Sequence, residues 1–187
     1  MNGLFFPSAL DPVPGHTAAL TLAAVLLIAA IGKLRDAALF REVLANYDLL
    51  PAALLSPASV ALPLLEALAG ALLLWPDSRP VGAPLALGLL ALVTAGIVIN
   101  LLRGRHRIDC GCGGNDVHTP LSWSLVARNA LLAVLGAAAS MPVADRPTVW
   151  LDTLAAAAAT LFLLGLYACA NQMLSNHPRL IELRDAP

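Results

Sequence analysis

Residues 81–102 read VGAPLALGLLALVTAGIVINLL and contain no charged side chain. A helix needs roughly 20 apolar residues to cross the hydrocarbon core of a bilayer, and this stretch is long enough to do so. The rest of the chain has the same character, since charged residues make up 12% of its 187 positions and the mean hydropathy is +0.78. This composition predicts an integral membrane protein and excludes an ordinary soluble domain.

Four further stretches are nearly free of charge and long enough to form membrane helices. They predict an all-α, polytopic membrane bundle of about five transmembrane helices, a four-helix core plus one, within a single domain over residues 1–187. The fourth helix is predicted to have Thr119 as its N-cap and Pro120 as its first residue. The predicted spans are 17–33, 52–75, 81–102, 120–141 and 149–170.

Residues 37–50 are too short and too polar to span a bilayer. Their apolar side chains recur at helical spacing, with Asp36 ahead as a cap and Pro51 behind. This pattern predicts an amphipathic interfacial helix that lies flat in the headgroup region and returns the chain to the face it left.

The distribution of positive charge predicts an orientation in a bacterial cytoplasmic membrane. A net charge of -1 argues against a nucleic-acid partner, which needs a basic surface. Because cytoplasmic loops are rich in Lys and Arg, we expect the N-terminus outside and the loop 103–119 inside. Arg79 and Arg146 fall on the outer face, and the cytoplasmic face has Lys33, Arg35, Arg41, Arg103, Arg105, Arg107, Arg179 and Arg184.

The loop 103–119, called here the cysteine loop, contains two of the three cysteines, Cys110 and Cys112. Cysteines one residue apart can reach disulfide geometry if the backbone turns, and flanking glycines permit the turn. Positive side chains nearby favour the reactive thiolate, whereas an acid opposes it. The pattern favours a thiol-disulfide redox pair, with supporting residues Arg105, Arg107, Asp109, Gly111 and Gly113.

Two other interpretations of the cysteine loop remain open. A Zn or Cu(I) site would use His106, Cys110, Cys112 and His118, although this spacing matches no common zinc module. The two thiols could instead belong to a structural turn in a membrane scaffold. The third cysteine, Cys169 near the end of the last span, is a candidate resolving thiol or a small apolar side chain.

Two ionisable residues fall deep inside predicted spans, Glu66 in the second and Arg128 in the fourth. Buried charge is costly in lipid, so both should face the bundle interior, where they could form an ion pair that links the two helices. Lys33 is expected to extend to the interface, and Asn100 and Asn129 to form hydrogen bonds between helices.

The order of several motifs resembles the MauE branch of the DoxX-like membrane proteins. The first half has Gly32-Lys33-Leu34-Arg35-Asp36, Phe40, Tyr47-Asp48-Leu49-Leu50-Pro51, and Leu62-Pro63 with Glu66. The second half has Asn100-Leu101-Leu102-Arg103-Gly104, Ile108-Asp109-Cys110-Gly111-Cys112-Gly113, Ser122-Trp123 and Arg128-Asn129.

This resemblance implies a role in the maturation of methylamine dehydrogenase, whose small subunit needs several disulfides. It also implies a membrane-anchored thioredoxin-like partner, with Cys110 and Cys112 as the redox pair. That maturation takes place outside the cytoplasmic membrane, whereas the charge distribution places the pair inside. The sequence predicts no cofactor, and a quinone between the helices remains an open alternative.

Overall fold

The computed structural model describes residues 10–106, 108–111 and 120–184, with side chains up to Asn176. Five helices in these ranges are long and apolar enough to cross a membrane. This confirms the predicted all-α membrane bundle. The helices are α1 (Pro12–Arg35), α2 (Ala37–Tyr47), α3 (Ala52–Leu74), α4 (Arg79–Leu102), α5 (Trp123–Ser140) and α6 (Trp150–Arg184), with a 3-10 turn at Pro76–Ser78.

The starts of α1 and α5 differ from the predicted spans. α1 begins at Pro12 because Asp11 caps it, accepting a hydrogen bond of 3.0 Å from the backbone N–H of Val13. α5 begins at Trp123, which corrects the predicted start at Pro120. Pro120 instead pairs with Asp109 in an isolated antiparallel bridge. Thr119, the predicted N-cap, lies outside the described residues.

The ends of α2 and α6 also differ from the predictions. α2 ends at Tyr47 because Asp48 adopts a left-handed conformation, with φ of 52°, which turns the chain toward α3. α6 continues to Arg184, well past the predicted end at residue 170. Hydropathy marks only the apolar part of this helix, and the polar residues that follow remain helical.

The core lies between α1, α3, α4 and α5, which pack against one another, with α1 in contact with both α3 and α5. Ala19 and Leu22 of α1 are fully buried there. Glycines bring the helix axes close together: a Cβ atom at Gly70 would lie 2.9 Å from Leu27, and one at Gly136 would lie 2.8 Å from a leucine of α4. Small residues at helix contacts are typical of membrane bundles.

α6 packs on the outside of this core, against α1. Most of its leucines and Phe162 are widely exposed, whereas Leu164 packs against the core. The other long helices also expose large apolar side chains on their outer faces. Trp75 and Trp150 are 63% and 77% exposed at the same end of the bundle, as expected for an aromatic belt. An apolar outer surface of this extent fits lipid rather than water, so the chain is a multi-pass membrane protein.

Ion pairs connect the helix ends at one end of the bundle. Arg146, between α5 and α6, binds Asp11 at 3.0 Å and Asp152 at 2.8 Å. Arg79 at the start of α4 approaches the ring of His16 in α1, with 2.8 Å between Nη1 and Nδ1. The cysteine loop connects the far ends of α4 and α5 and therefore lies at the opposite end.

Candidate functional site

The described part of the cysteine loop is fixed to the end of the bundle by backbone contacts. The N–H of Leu121 donates a hydrogen bond of 3.0 Å to the carbonyl of Ile108, beside the bridge between Asp109 and Pro120. Cys110 directly follows Asp109 and is 5% exposed. Its side chain belongs to a buried cluster with Ile97, Leu101, Leu121 and Leu125.

α2 covers Cys110 from the other side. The hydroxyl of Tyr47 donates a hydrogen bond of 3.3 Å to the carbonyl oxygen of Cys110. Burial raises the pKa of Tyr47 to about 12, so this hydroxyl remains a donor across the physiological range. Gly111 has a φ of +68°, and a Cβ atom there would lie 2.8 Å from Val43 of α2. Glycine is required at this position for both its backbone conformation and its lack of a side chain.

Arg105, whose positive charge was predicted to favour the thiolate, binds groups at the end of α2. Its Nη1 donates hydrogen bonds of 3.4 Å to the Tyr47 carbonyl and to Asn100 Oδ1, and lies 3.7 Å from Asp48 Oδ2. Arg105 therefore joins the start of the cysteine loop to α2 and α4. An effect of Arg105 on the cysteine thiols stays a prediction.

Part of the predicted site lies outside the described residues, namely Arg107, Cys112, Gly113 and His118. The pairing of the two loop cysteines therefore stays a prediction. Within the described ranges, no group of three His, Cys, Asp or Glu side chains is arranged to hold a metal ion. Because only His106 and Cys110 of the four candidate ligands fall in these ranges, the metal interpretation also stays a prediction.

Cys169 is exposed on α6 and forms no disulfide. Its helix packs on the outside of the bundle, where α1 is its main neighbour. Its role as a resolving thiol stays a prediction.

Glu66 pairs with Lys33 rather than with Arg128. Lys33 Nζ lies 2.5 Å from Glu66 Oε1, and both side chains are less than a tenth exposed. The expectation that Lys33 extends to the interface is therefore wrong: its ammonium turns inward, because a buried carboxylate on the neighbouring helix offers it an opposite charge. The other carboxylate oxygen, Oε2 of Glu66, is buried with no hydrogen-bond partner among the described residues.

Arg128 holds α6 to α5. Its Nη1 donates a hydrogen bond of 2.7 Å to Asn171, and its Nη2 donates one of 3.2 Å to Asn129. The guanidinium also lies over the ring of Tyr167, 5.7 Å from its centroid. These contacts replace the expected ion pair between α3 and α5.

The two buried asparagines have different roles. Asn129 donates a hydrogen bond of 3.0 Å to Thr94 and so links α5 to α4, as predicted. Asn100 donates to the carbonyl of Gly96 within its own helix and accepts from Arg105 of the cysteine loop. Asn100 thus fixes the loop rather than a second membrane helix.

A cavity of about 450 Å³ lies beside Cys110, lined almost entirely by apolar side chains of α2, α3 and α4. Pockets of this volume bind small organic molecules in many proteins. Cys110 forms part of one wall, and Lys33 and Glu66 form part of another. The cavity therefore brings a cysteine, an ion pair and two aromatic rings, Phe40 and Tyr47, to one space.

Residues 12–142 match the family model described as methylamine utilisation protein MauE. The chain belongs to the MauE family. It is 41% identical over 147 residues to a methylamine utilization protein MauE of Paracoccus versutus, covering 76% of this chain and 78% of that one. It is 39% identical over 148 residues to the protein of the same name from Methylorubrum extorquens, covering 78% and 80%. No solved structure matches the chain.

Sequence reasoning did not assign Lys33, Phe40 and Tyr47 to the site. All three stand in the motifs that carry the MauE resemblance, beside Glu66. A lysine two residues from a helix end normally extends to the membrane surface, so its position gave no sign of a buried partner. The available signal was Glu66 itself, a buried acid that requires a cation.

Proposed function

We propose that this chain is a membrane thiol-disulfide redox protein of the methylamine utilisation system. Cys110 and Cys112 cycle between disulfide and dithiol and exchange electrons with a membrane-anchored thioredoxin-like protein. The observation that carries the proposal is the position of Cys110, buried under α2 and forming part of the wall of a cavity inside the bundle.

The exchange proceeds through a mixed disulfide. A thiolate of the partner attacks one sulfur of the oxidised pair, and the other cysteine leaves as a thiolate. The partner's second thiolate then attacks the mixed disulfide, which oxidises the partner and leaves Cys110 and Cys112 reduced. Two electrons pass from the partner to the chain, and the protons of the partner's two thiols end on Cys110 and Cys112.

The burial of Cys110 supports different roles for the two cysteines. Cys110 is 5% exposed, so another protein cannot easily reach its sulfur. The partner therefore attacks Cys112, and Cys110 is the internal cysteine that leaves and later re-forms the disulfide.

The physiological substrate of the oxidised partner is the small subunit of methylamine dehydrogenase, which needs several disulfides and matures outside the membrane. With the cysteine loop on the cytoplasmic face, the electrons therefore cross the bilayer through a partner. This assignment draws on the family resemblance and on the name of the relatives, methylamine utilization protein. In cells that lack the two cysteines, the small subunit should accumulate with free thiols, which alkylation and mass spectrometry would reveal.

Trapping of the mixed disulfide tests the exchange directly. A thioredoxin whose second active-site cysteine is changed to serine should form a covalent complex with the oxidised chain. Cys112→Ser and Cys110→Ser should each abolish the complex, because neither variant can form the disulfide that is attacked. Cys169→Ser is the matched control and should leave it intact. A complex that survives in both loop variants, or that needs Cys169, contradicts the proposal.

The chain forms a single domain in the bacterial cytoplasmic membrane, with the cysteine loop on the cytoplasmic face. The excess of Lys and Arg near that end of the bundle supports this orientation. In a background without native cysteines, Arg41→Cys and Asp77→Cys place exposed thiols at opposite ends of the bundle. A membrane-impermeant thiol reagent added to intact cells should label only Asp77→Cys. Labelling of only Arg41→Cys contradicts this orientation.

A further inference from the structure

The cavity beside Cys110 has the composition of a binding site for an amphiphilic molecule. Its walls are apolar side chains of α2, α3 and α4, and its polar groups are confined to the ion pair, Tyr47 and Cys110. We propose that this cavity binds an isoprenoid quinone, with the quinone ring between the Lys33–Glu66 pair and the cysteine loop and the tail extending into the lipid.

The mouth of the cavity faces lipid. Ala61 of α3 and Leu92 of α4 line the cavity and are exposed on the outer surface of the bundle. Leu49 and Leu50, between α2 and α3, are exposed at its rim. A molecule already dissolved in the bilayer can enter between α3 and α4 without crossing water, and an apolar tail can remain in the opening.

The Lys33–Glu66 pair supplies the hydrogen bonds that a quinone and its reduced form require. Lys33 donates one hydrogen bond to Glu66 Oε1, and an ammonium group has three donors in all. Glu66 Oε2 is buried without a partner among the described residues, which is costly unless a ligand donates to it. A quinone carbonyl accepts from Lys33, and a hydroquinone hydroxyl donates to Glu66. A lipid acyl chain would satisfy neither group.

One aromatic ring lies close to both the ion pair and the cysteine loop. Lys33 Nζ lies 5.2 Å from the centroid of Phe40. Phe40 also lies 3.7 Å from where a Cβ atom of Gly111 would stand. A ligand ring beside Phe40 would therefore lie near both the ion pair and the wall that includes Cys110, since all of them line the same cavity.

The role of this quinone as electron acceptor rests on the proposed function. The reduced Cys110 and Cys112 lose two electrons and two protons as their sulfur-sulfur bond forms. The quinone takes up both electrons and both protons at its two carbonyl oxygens and leaves as hydroquinone. The pair is then oxidised again and ready to accept electrons from the thioredoxin-like partner.

Binding of decylubiquinone to the full chain in lipid nanodiscs tests the site. Glu66→Gln removes the charged acceptor and should weaken binding by about tenfold or more. Ala61→Trp places a large ring at the lipid-facing mouth and should weaken binding to a similar extent without disturbing the core. Ala91→Trp is the matched control. Ala91 is exposed on α4 and does not line the cavity, so this variant should bind as the unmodified chain does.

Loss of binding in Glu66→Gln and Ala61→Trp, with binding kept in Ala91→Trp, supports the quinone site. Absent binding, equal affinity in all variants, or a copurifying phospholipid that decylubiquinone fails to displace would overturn it. Binding is measured without any partner protein, so it does not depend on thiol-disulfide exchange. A failed mixed-disulfide trap therefore counts against the proposed function, and a failed binding titration counts against the quinone site.

Discussion

Tyr47 donates a hydrogen bond from its hydroxyl to the carbonyl oxygen of Cys110, across 3.3 Å, and so connects α2 to the cysteine loop. Tyr47→Phe removes this bond and leaves the ring in the cavity wall. We expect the free energy of unfolding to fall by about 0.5 to 1 kcal/mol and amide hydrogen exchange to rise at residues 108–111.

The chain provides a matched control for this substitution, because Tyr167 is its only other tyrosine. Among the described residues, the Tyr167 hydroxyl forms no hydrogen bond. Its ring contact with Arg128 is kept when phenylalanine replaces the tyrosine. Tyr167→Phe should therefore leave hydrogen exchange in the loop unchanged. Equal exchange at residues 108–111 in both variants would show that the Tyr47 bond does not hold the loop.

Substitutions at Gly111 and Gly104 distinguish backbone strain from steric conflict in the same loop. Both have positive φ, +68° and +74°, but a Cβ atom at Gly104 has no neighbour within 4 Å, whereas one at Gly111 meets Val43 at 2.8 Å. Gly104→Ala should cost about 1 kcal/mol from strain alone. Gly111→Ala should cost more and should also slow mixed-disulfide formation, because Cys110 moves with its neighbour.

A second substitution distinguishes the two causes at Gly111. Val43→Ala removes the methyl group in conflict. The double variant Gly111→Ala/Val43→Ala should therefore recover part of the lost rate of mixed-disulfide formation. Thermal unfolding and thiol-trapping rates of the unmodified chain, the two single variants and the double variant measure this coupling. Strictly additive effects would mean that Val43 plays no part in holding the loop.

The sequence predicted the helices better than the contacts between them. The apolar stretches located all five long helices, because a bilayer requires long runs of apolar residues whatever their neighbours are. The sequence did not reveal the pairing of Lys33 with Glu66, and it suggested Arg128 as the partner of Glu66 instead. Charge and depth alone do not show which helices are adjacent. The start of α5 was also misplaced, because the bridge between Asp109 and Pro120 forms only when both ends of the loop come together.

The buried pair of Lys33 and Glu66 should behave as one unit. Lys33→Met leaves an unpaired carboxylate inside the bundle, with a cost of up to about 3 to 5 kcal/mol if it stays ionised and less if it takes up a proton. Replacing both residues, as Lys33→Met/Glu66→Gln, should be less destabilising than Lys33→Met alone. Thermal unfolding of the two single variants and the double variant in detergent gives the coupling. Additive losses would contradict a direct pair.

The contacts of Arg146 predict how the far end of the bundle responds to acid. Hydrogen bonds from Arg146, followed by one from the Val13 backbone, lower the pKa of Asp11 below its usual value near 3.8. A lowered pKa in the folded state contributes stability above the unfolded pKa, and this stability is lost as the pH falls through the folded value. Asp11→Asn keeps the helix cap but lacks the charge, so it should unfold at a lower temperature than the unmodified chain at neutral pH.

This difference in unfolding temperature should stay constant at pH values well above 3.8, the usual pKa of Asp11, and shrink as the pH falls through its lowered pKa in the folded chain. Asp77→Asn is the control: Asp77 is an exposed acid at the same end of the bundle, and no ion pair connects it to the described residues. Its effect should be small at every pH. A difference between Asp11→Asn and the unmodified chain that persists unchanged at low pH would show that the Asp11 charge does not stabilise this end.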